Sequence, residues 1–272
     1  MSCDYEKFAI ITRGVISKHA VSYLINYLER FRLMRIAVAG PISVRGISRY
    51  LEGPDKPLPV GSDAAPILTT LIMALIESGH EVSVYTLDRA LARRGESLYK
   101  ASGKSGFRLY VGPYRNHSFR PSRGKPGRMM DVFRYERRAL LAMIDCDNPD
   151  IIHAHWTYEY ALAAIASGRP HVITAHDSPL QVLRYLPNLY RLGRYFMARS
   201  VYRRARVLTA VSPYMKEQVQ QYTRSPIRVI GNPVPYLALE LGDKPRSRKR
   251  ELDKPHIAMV LNGWGRLKNA EA

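Results

Sequence analysis

The histidines of IIHAHW alternate, so an extended backbone here points His153 and His155 to the same side. Two imidazoles on one face suggest part of a metal site, but no third ligand follows at a metal-binding spacing, and no metal is expected. The next β-branched run, HVITAHD, ends on His176 and Asp177. That pair could act as a base or hydrogen-bond a sugar-like hydroxyl; equally, one member could cap the helix that follows. Gly61 and Ser62 stand just before an apolar helical stretch, where backbone N–H groups and the positive helix end would attract an anion. The earlier GPISVRG is not a GxGxxG fingerprint, and the helix begins about twenty residues late, so no dinucleotide cofactor is expected.

A second kind of chemistry lies in the charge. The 272 residues carry 42 Lys and Arg against 23 Asp and Glu, a net +19. From Ser178 to Arg206 there are seven arginines, no acidic residue, and Tyr185, Tyr190, Tyr195 and Tyr202 between them. Guanidinium and phenol groups join an apolar stem or ring to a polar tip, which suits anionic lipid headgroups. Arg191, Arg194, Arg199 and Arg203 are the candidate contacts. At about 100° per residue the arginines spread around a helix, so a solvated charged helix stays open beside membrane contact. Nucleic acid is the least favoured partner.

These groups are positioned by short β-branched runs that alternate with helical spacings, the pattern of a parallel sheet with crossover helices. Strands are expected at Arg35–Gly40, Glu81–Leu87, Phe107–Gly112, Ile151–Trp156, His171–His176, Arg206–Val211, Ile227–Ile230 and His256–Leu261. Ser62 or Asp63 is the expected cap of a helix with Pro66 in its first turn, and Ser212 with Pro213 the start of another. Met129 to Cys146 and Tyr158 to Ser167 fill two more crossovers, giving a doubly wound α/β domain over residues 34–233. The loops 41–62 and 113–128 are rich in Gly and Pro and long enough to contact a ligand. Residues 1–33 read as an added helix or an artefact of the start codon, 234–255 as a linker, and 256–272 as the first strand and turn of a second domain.

A composition of 46% hydrophobic residues excludes wholesale disorder. Cys3 and Cys146, without metal or paired spacing, argue against a disulfide scaffold and for a reducing compartment. No apolar stretch approaches the ~20 residues of a spanning helix, and the first residues do not form a signal peptide. The expected location is cytoplasmic, at the inner face of a membrane if the arginine tract binds lipid.

Four segments together resemble the retaining GT-B glycosyltransferases of family four. They are DAAPILTTLIMALIESGHEVSVYT; PDIIHAHWTYEYALAA followed by HVITAHD; RRARVLTAVSPYMKE followed by IRVIGNPV; and LNGWGRLKN. The resemblance runs from about Arg35 to the end of the chain and implies an N-terminal, acceptor-binding, Rossmann-like half. It implies transfer of a sugar from a nucleotide-sugar to a glycan or lipid-linked hydroxyl, with retention and without metal or other cofactor, as in cell-envelope or exopolysaccharide synthesis. By the same likeness Gly61 approaches the donor phosphates and His176 contacts the transferred sugar as the catalytic residue. Ser62, His155, Asp177, Asn232 and Gly265 join the substrate site, and Arg266 and Lys268 neutralise the diphosphate leaving group. The first-strand loop lacks the family's GG pair, Arg266 and Lys268 stand only two apart, and the EX7E glutamates are absent. The chain alone is therefore expected to be inactive. The competing reading is a non-catalytic α/β module that binds anionic lipid or polymer through its Arg/Tyr surface.

Overall fold

The computed structural model describes residues 33–53, 57–62 and 64–234. The expected N-terminal helix, the linker beyond Val234 and the strand at 256–261, with Gly265, Arg266 and Lys268, lie outside the described residues, as does Asp63.

Among the described residues eight strands form one sheet in the order β3-β4-β2-β1-β5-β6-β7-β8. They are β1 (Arg35–Ala39), β2 (Glu81–Asp88), β3 (Tyr99–Ser102), β4 (Arg108–Pro113), β5 (Ile151–His155), β6 (His171–Ala175), β7 (Leu208–Ala210) and β8 (Ile227–Val229). Every pairing is parallel except that of β3 with β4. This is a doubly wound α/β Rossmann-like sheet, as the alternation of β-branched runs and helical spacings implies. The short antiparallel edge strand β3 was not expected: YKAS has no apolar alternation to announce it.

The helices are α1 (Val44–Ile47), α2 (Ile67–Glu77), α3 (Arg89–Arg94), α4 (Arg134–Asp147), α5 (Glu159–Ala166), α6 (Pro179–Tyr185), α7 (Leu189–Arg204) and α8 (Pro213–Gln220). Alternation along the strands feeds two cores. Ala37, Ala39, Tyr85 and Leu87 pack with α4, α5, α7 and α8 on one face. Val38, Val82, Val84 and Val111 pack with α1, α2 and α3 on the other. Ser212 caps α8 through Met215 N–H at 3.1 Å, with Pro213 in the first turn, as expected. The start of α2 differs: Pro66 occupies its N-cap, so Ser62 lies four residues before the cap position and does not cap the helix.

One buried carboxylate ties sheet to helix. Asp147, in the last turn of α4, accepts from Tyr85 Oη at 2.5 Å, Tyr110 Oη at 3.2 Å and Arg108 Nε at 2.7 Å. Burial, with the nearby carboxylate, pushes the Tyr110 phenol up to about 12, so both hydroxyls stay protonated donors. An acid at a helix C-terminus opposes the dipole by roughly 0.3–1 kcal/mol. The charge-assisted hydrogen bonds, at about 1.5–3 kcal/mol each, outweigh that cost. Asp147→Ala is expected to lower unfolding free energy by about 3 kcal/mol, and Tyr85→Phe by about 1 kcal/mol, in urea denaturation. Equal effects would contradict Asp147 as the hub.

Candidate functional site

The chain leaves β1 toward β2 on one side, whereas β5, on the other side of β1, leads on to β6. Connections that diverge in this way open a crevice at the carboxyl ends of the strands. A cavity of about 520 Å³ occupies it, with walls from Pro41 after β1, Leu87 and Asp88 of β2, Tyr114 after β4, Trp156 after β5, and the start of α7. Trp156 holds φ 68°, a strained value for a bulky residue, at the turn from β5 into the cavity wall.

Gly61 and Ser62 line this cavity, but not as an anion-binding helix end. Gly61 N–H donates to Asp88 Oδ2 at 2.8 Å, and Ser62 N–H to the carbonyl of Ile42 at 2.9 Å. Both donors are spent inside the protein, because the strand-like return of the 41–62 loop must satisfy its own backbone. Gly61 is demanded by its φ of 74° and by the Ile42 carbonyl, with which an added Cβ would collide. Asp88 also caps α3, accepting from Ala90 and Leu91 N–H.

On the opposite wall Arg194 and Glu159 form an ion pair in which both side chains are almost fully buried. The Arg194 guanidinium lies 3.5 Å from the centroid of the Tyr158 ring, and Tyr158 Oη donates to Asp177 Oδ2 at 2.9 Å. The placement of Arg194 on a membrane-facing surface is thereby corrected. Asn188 starts α7 by accepting from Arg191 N–H at 2.9 Å, and helical spacing then turns Arg194, Met197, Ala198 and Val201 inward. Arg191 is half-buried in the cavity wall. The outward face carries Leu189, Leu192, Phe196, Arg199 and Arg203, alternately three and four apart, with Leu189 72% and Phe196 56% exposed.

The histidine cluster lies at the ends of β5 and β6, outside the residues that line the cavity. His153 and His155 do share a face, with ring centroids 4.1 Å apart. His155 Nδ1 is 2.9 Å from His176 Nε2, and His153 Nε2 is 2.7 Å from Thr174 Oγ1, which in turn reaches Thr209 Oγ1 at 2.7 Å. One nitrogen of each ring is thus engaged, whereas His155 Nε2 is buried without a hydrogen-bond partner; among the described residues no group of three or more His, Cys, Asp or Glu could hold a metal ion. Burial pushes His153 and His176 down to about 4 and His155 well below its ordinary value, so all three are neutral at pH 7. Burial raises the Asp177 carboxyl, opposed by the Tyr158 hydrogen bond and by Arg194. Neither His176 nor Asp177 caps α6; Ser178 Oγ does, accepting from Gln181 N–H.

The structure therefore gathers Gly61, Ser62, Arg191 and Arg194 around the cavity, whereas His155 and His176 pair with each other outside its lining and Asp177 is linked to Arg194 through Tyr158. Asn232 is exposed beyond β8 and does not line the cavity. Sequence reasoning missed Arg89, Arg93, Arg128 and Glu159. For the first two a signal existed: Asp88 stands where an N-cap would start RALARR. Arg128 lies in an irregular loop and gives none.

A sequence profile described as Glycosyltransferase Family 4 matches residues 65–236. No curated protein sequence matches the chain. Solved structures similar to it include sucrose-phosphate synthase from Thermosynechococcus elongatus, at 14% identity and TM-score 0.48, covering 73% of this chain and 48% of that one. Another is UGT89C1 of Arabidopsis thaliana complexed with UDP, at 12% identity and TM-score 0.40, covering 79% of this chain and 56% of that one. The chain spans about half the length of each.

The depressed histidines make stability pH-dependent. The unfolded chain takes up their protons near pH 6.5, and the folded chain does so only toward pH 4, so their contribution is complete above 6.5 and lost as pH falls toward 4. The raised Asp177 carboxyl acts in the opposite sense and offsets part of this. Thermal denaturation is expected to show a falling Tm from pH 7 to pH 4.5, with a smaller fall in His153→Gln. A slope unchanged by that substitution would refute the assignment.

Proposed function

The chain belongs to Glycosyltransferase Family 4, and from that premise we propose that it is the acceptor-binding half of a retaining GT-B enzyme that transfers a sugar from a nucleotide-sugar to an acceptor hydroxyl. The observation that carries this reading is the cavity at the switch point of the sheet, about 520 Å³ in volume, with Trp156, Tyr114 and Tyr190 among the residues that line it. In the reaction the bond from the anomeric carbon to the diphosphate oxygen breaks, and the acceptor oxygen bonds to the same face of that carbon. The hydroxyl proton goes to the departing diphosphate, because neither cavity carboxylate is free to take it. Asp88 is held by three backbone N–H groups and Glu159 by Arg194.

His176, neutral at pH 7, contacts the transferred sugar as a hydrogen-bonding group and not as a cation. His155 fixes its ring and Asp177 braces the wall through Tyr158. Arg266 and Lys268 stabilise the leaving diphosphate, no metal takes part, and residues 34–233 act as one domain with the donor half following the linker. Nucleotide-sugar turnover is expected to be absent in the chain alone and to appear when a family four donor half is joined to it. In the joined protein His176→Ala should lower kcat at least about 100-fold. Turnover by the chain alone, or full activity in His176→Ala, would overturn the reading.

The outward face of α7 supports an acceptor met at the cytoplasmic surface of a membrane. Among the described residues no helix is long and apolar enough to cross one. Leu189, Leu192 and Phe196 offer apolar contact, and Arg199 and Arg203 continue the same face as cations. At about 1 kcal/mol per arginine near an anionic surface, Arg199→Gln with Arg203→Gln should weaken binding to phosphatidylglycerol vesicles roughly 30-fold. Unchanged flotation with vesicles would remove the membrane from the proposal.

A further inference from the structure

The cavity holds more positive charge than the protein itself neutralises. Five guanidinium groups, from Arg89, Arg93, Arg128, Arg191 and Arg194, face two carboxylates, Asp88 and Glu159. Glu159 is consumed by Arg194, and Asp88 by the backbone N–H groups of Gly61, Ala90 and Leu91. Among the described residues none of the other four arginines takes part in an ion pair.

Arg128 is the most informative of them. It is only 7% exposed, its Nε is buried without a hydrogen-bond partner, and the bonds its guanidinium makes run from Nη1 to the carbonyls of Arg115 and Asn116. The rings of Tyr114, Tyr190 and Phe133 surround it with centroids 5.0, 5.5 and 5.8 Å from Cζ. Ring faces and carbonyl dipoles soften the burial of a cation but do not neutralise it; an anion does. Arg89 and Arg93 on α3, Arg128 in the loop before α4 and Arg191 on α7 come from three separate segments. Such a set exceeds what one carboxylate can satisfy and matches the several oxygens of a phosphate ester, which guanidinium forks bind in pairs.

We propose that this cavity binds a phosphate ester carried by the acceptor, so that the substrate class is a phosphorylated sugar or polyol, free or as the headgroup of a lipid. The inference rests on the reading of this chain as an acceptor-binding half. Binding to the full chain is measured by calorimetry with glucose 6-phosphate, inorganic pyrophosphate and glucose, and by flotation with phosphatidylinositol vesicles. Glucose 6-phosphate and pyrophosphate should bind at least tenfold tighter than glucose. Arg89→Gln with Arg93→Gln should weaken that binding at least tenfold at an unchanged Tm, since both side chains are exposed. Arg128→Gln should abolish it; if that variant folds poorly, the exposed pair is the deciding test. Soluble esters bound in this way support a free acceptor. Vesicle binding lowered at least tenfold further when the Arg89 and Arg93 substitutions are added to those of Arg199 and Arg203 supports a lipid headgroup.

Glucose bound as tightly as its phosphate, or binding indifferent to Arg89 and Arg93, would overturn the proposal. Phosphate binding without sugar transfer in the joined protein would instead sink the transferase reading and leave the anion site standing. Transfer to a neutral acceptor, undisturbed by the Arg89 and Arg93 substitutions, would sink this inference alone.

Discussion

A guanidinium and a carboxylate withdrawn from water, those of Arg194 and Glu159, fix the working end of the sheet. Each ion alone would cost several kcal/mol to bury, and removing one partner from such a pair typically costs about 3–5 kcal/mol. The pair thus works less as a source of stability than as a constraint: α7 has one seat on the N-terminus of α5, because any other leaves a charge stranded. Tyr158 extends the constraint. Its ring lies under the guanidinium and its hydroxyl holds Asp177, so the end of β6, with His176, is set by the same contact that shapes the cavity wall.

On the opposite wall the main-chain donors of Gly61 and Ser62 are engaged within the protein. The loop after β1 folds back along itself, with Val44 N–H on the carbonyl of Val60 and Ser62 N–H on that of Ile42. Asp88 accepts from Gly61 N–H. With the Gly61 and Ser62 donors already paired, recognition of a phosphate at the proposed site rests on side chains that reach in from α3, α7 and the loop before α4. Gly193, where an added Cβ would collide with Met129 Sδ, lets that loop approach α7 closely enough for Arg128 and Arg194 to share one aromatic wall.

The sheet was legible because its strands are β-branched runs buried on two faces, and their order of alternation with helical spacings leaves little freedom. Seven of the expected strands are present to within two residues at either end. The edge strand β3 was hidden because an exposed, half-polar segment needs no hydrophobic code. The histidine pair on one face of β5 was readable from period two alone. Arg194 was not, since a list of charges along a sequence does not say which one meets a carboxylate 35 residues away. Gly61 illustrates the same limit: the sequence marked a glycine before a helix, and only the fold reveals that its N–H is already engaged.

The two faces of α7 have a consequence for how this chain can vary. Substitutions on the outer row, Leu189, Leu192, Phe196, Arg199 and Arg203, leave the inner row untouched, so each face can change its chemistry independently. Length is another matter. One residue inserted or deleted between Asn188 and Arg194 would turn everything beyond it by about 100°, swinging a buried guanidinium toward solvent and an exposed side chain toward Glu159. The helix is open to exchange of residues and closed to insertions and deletions.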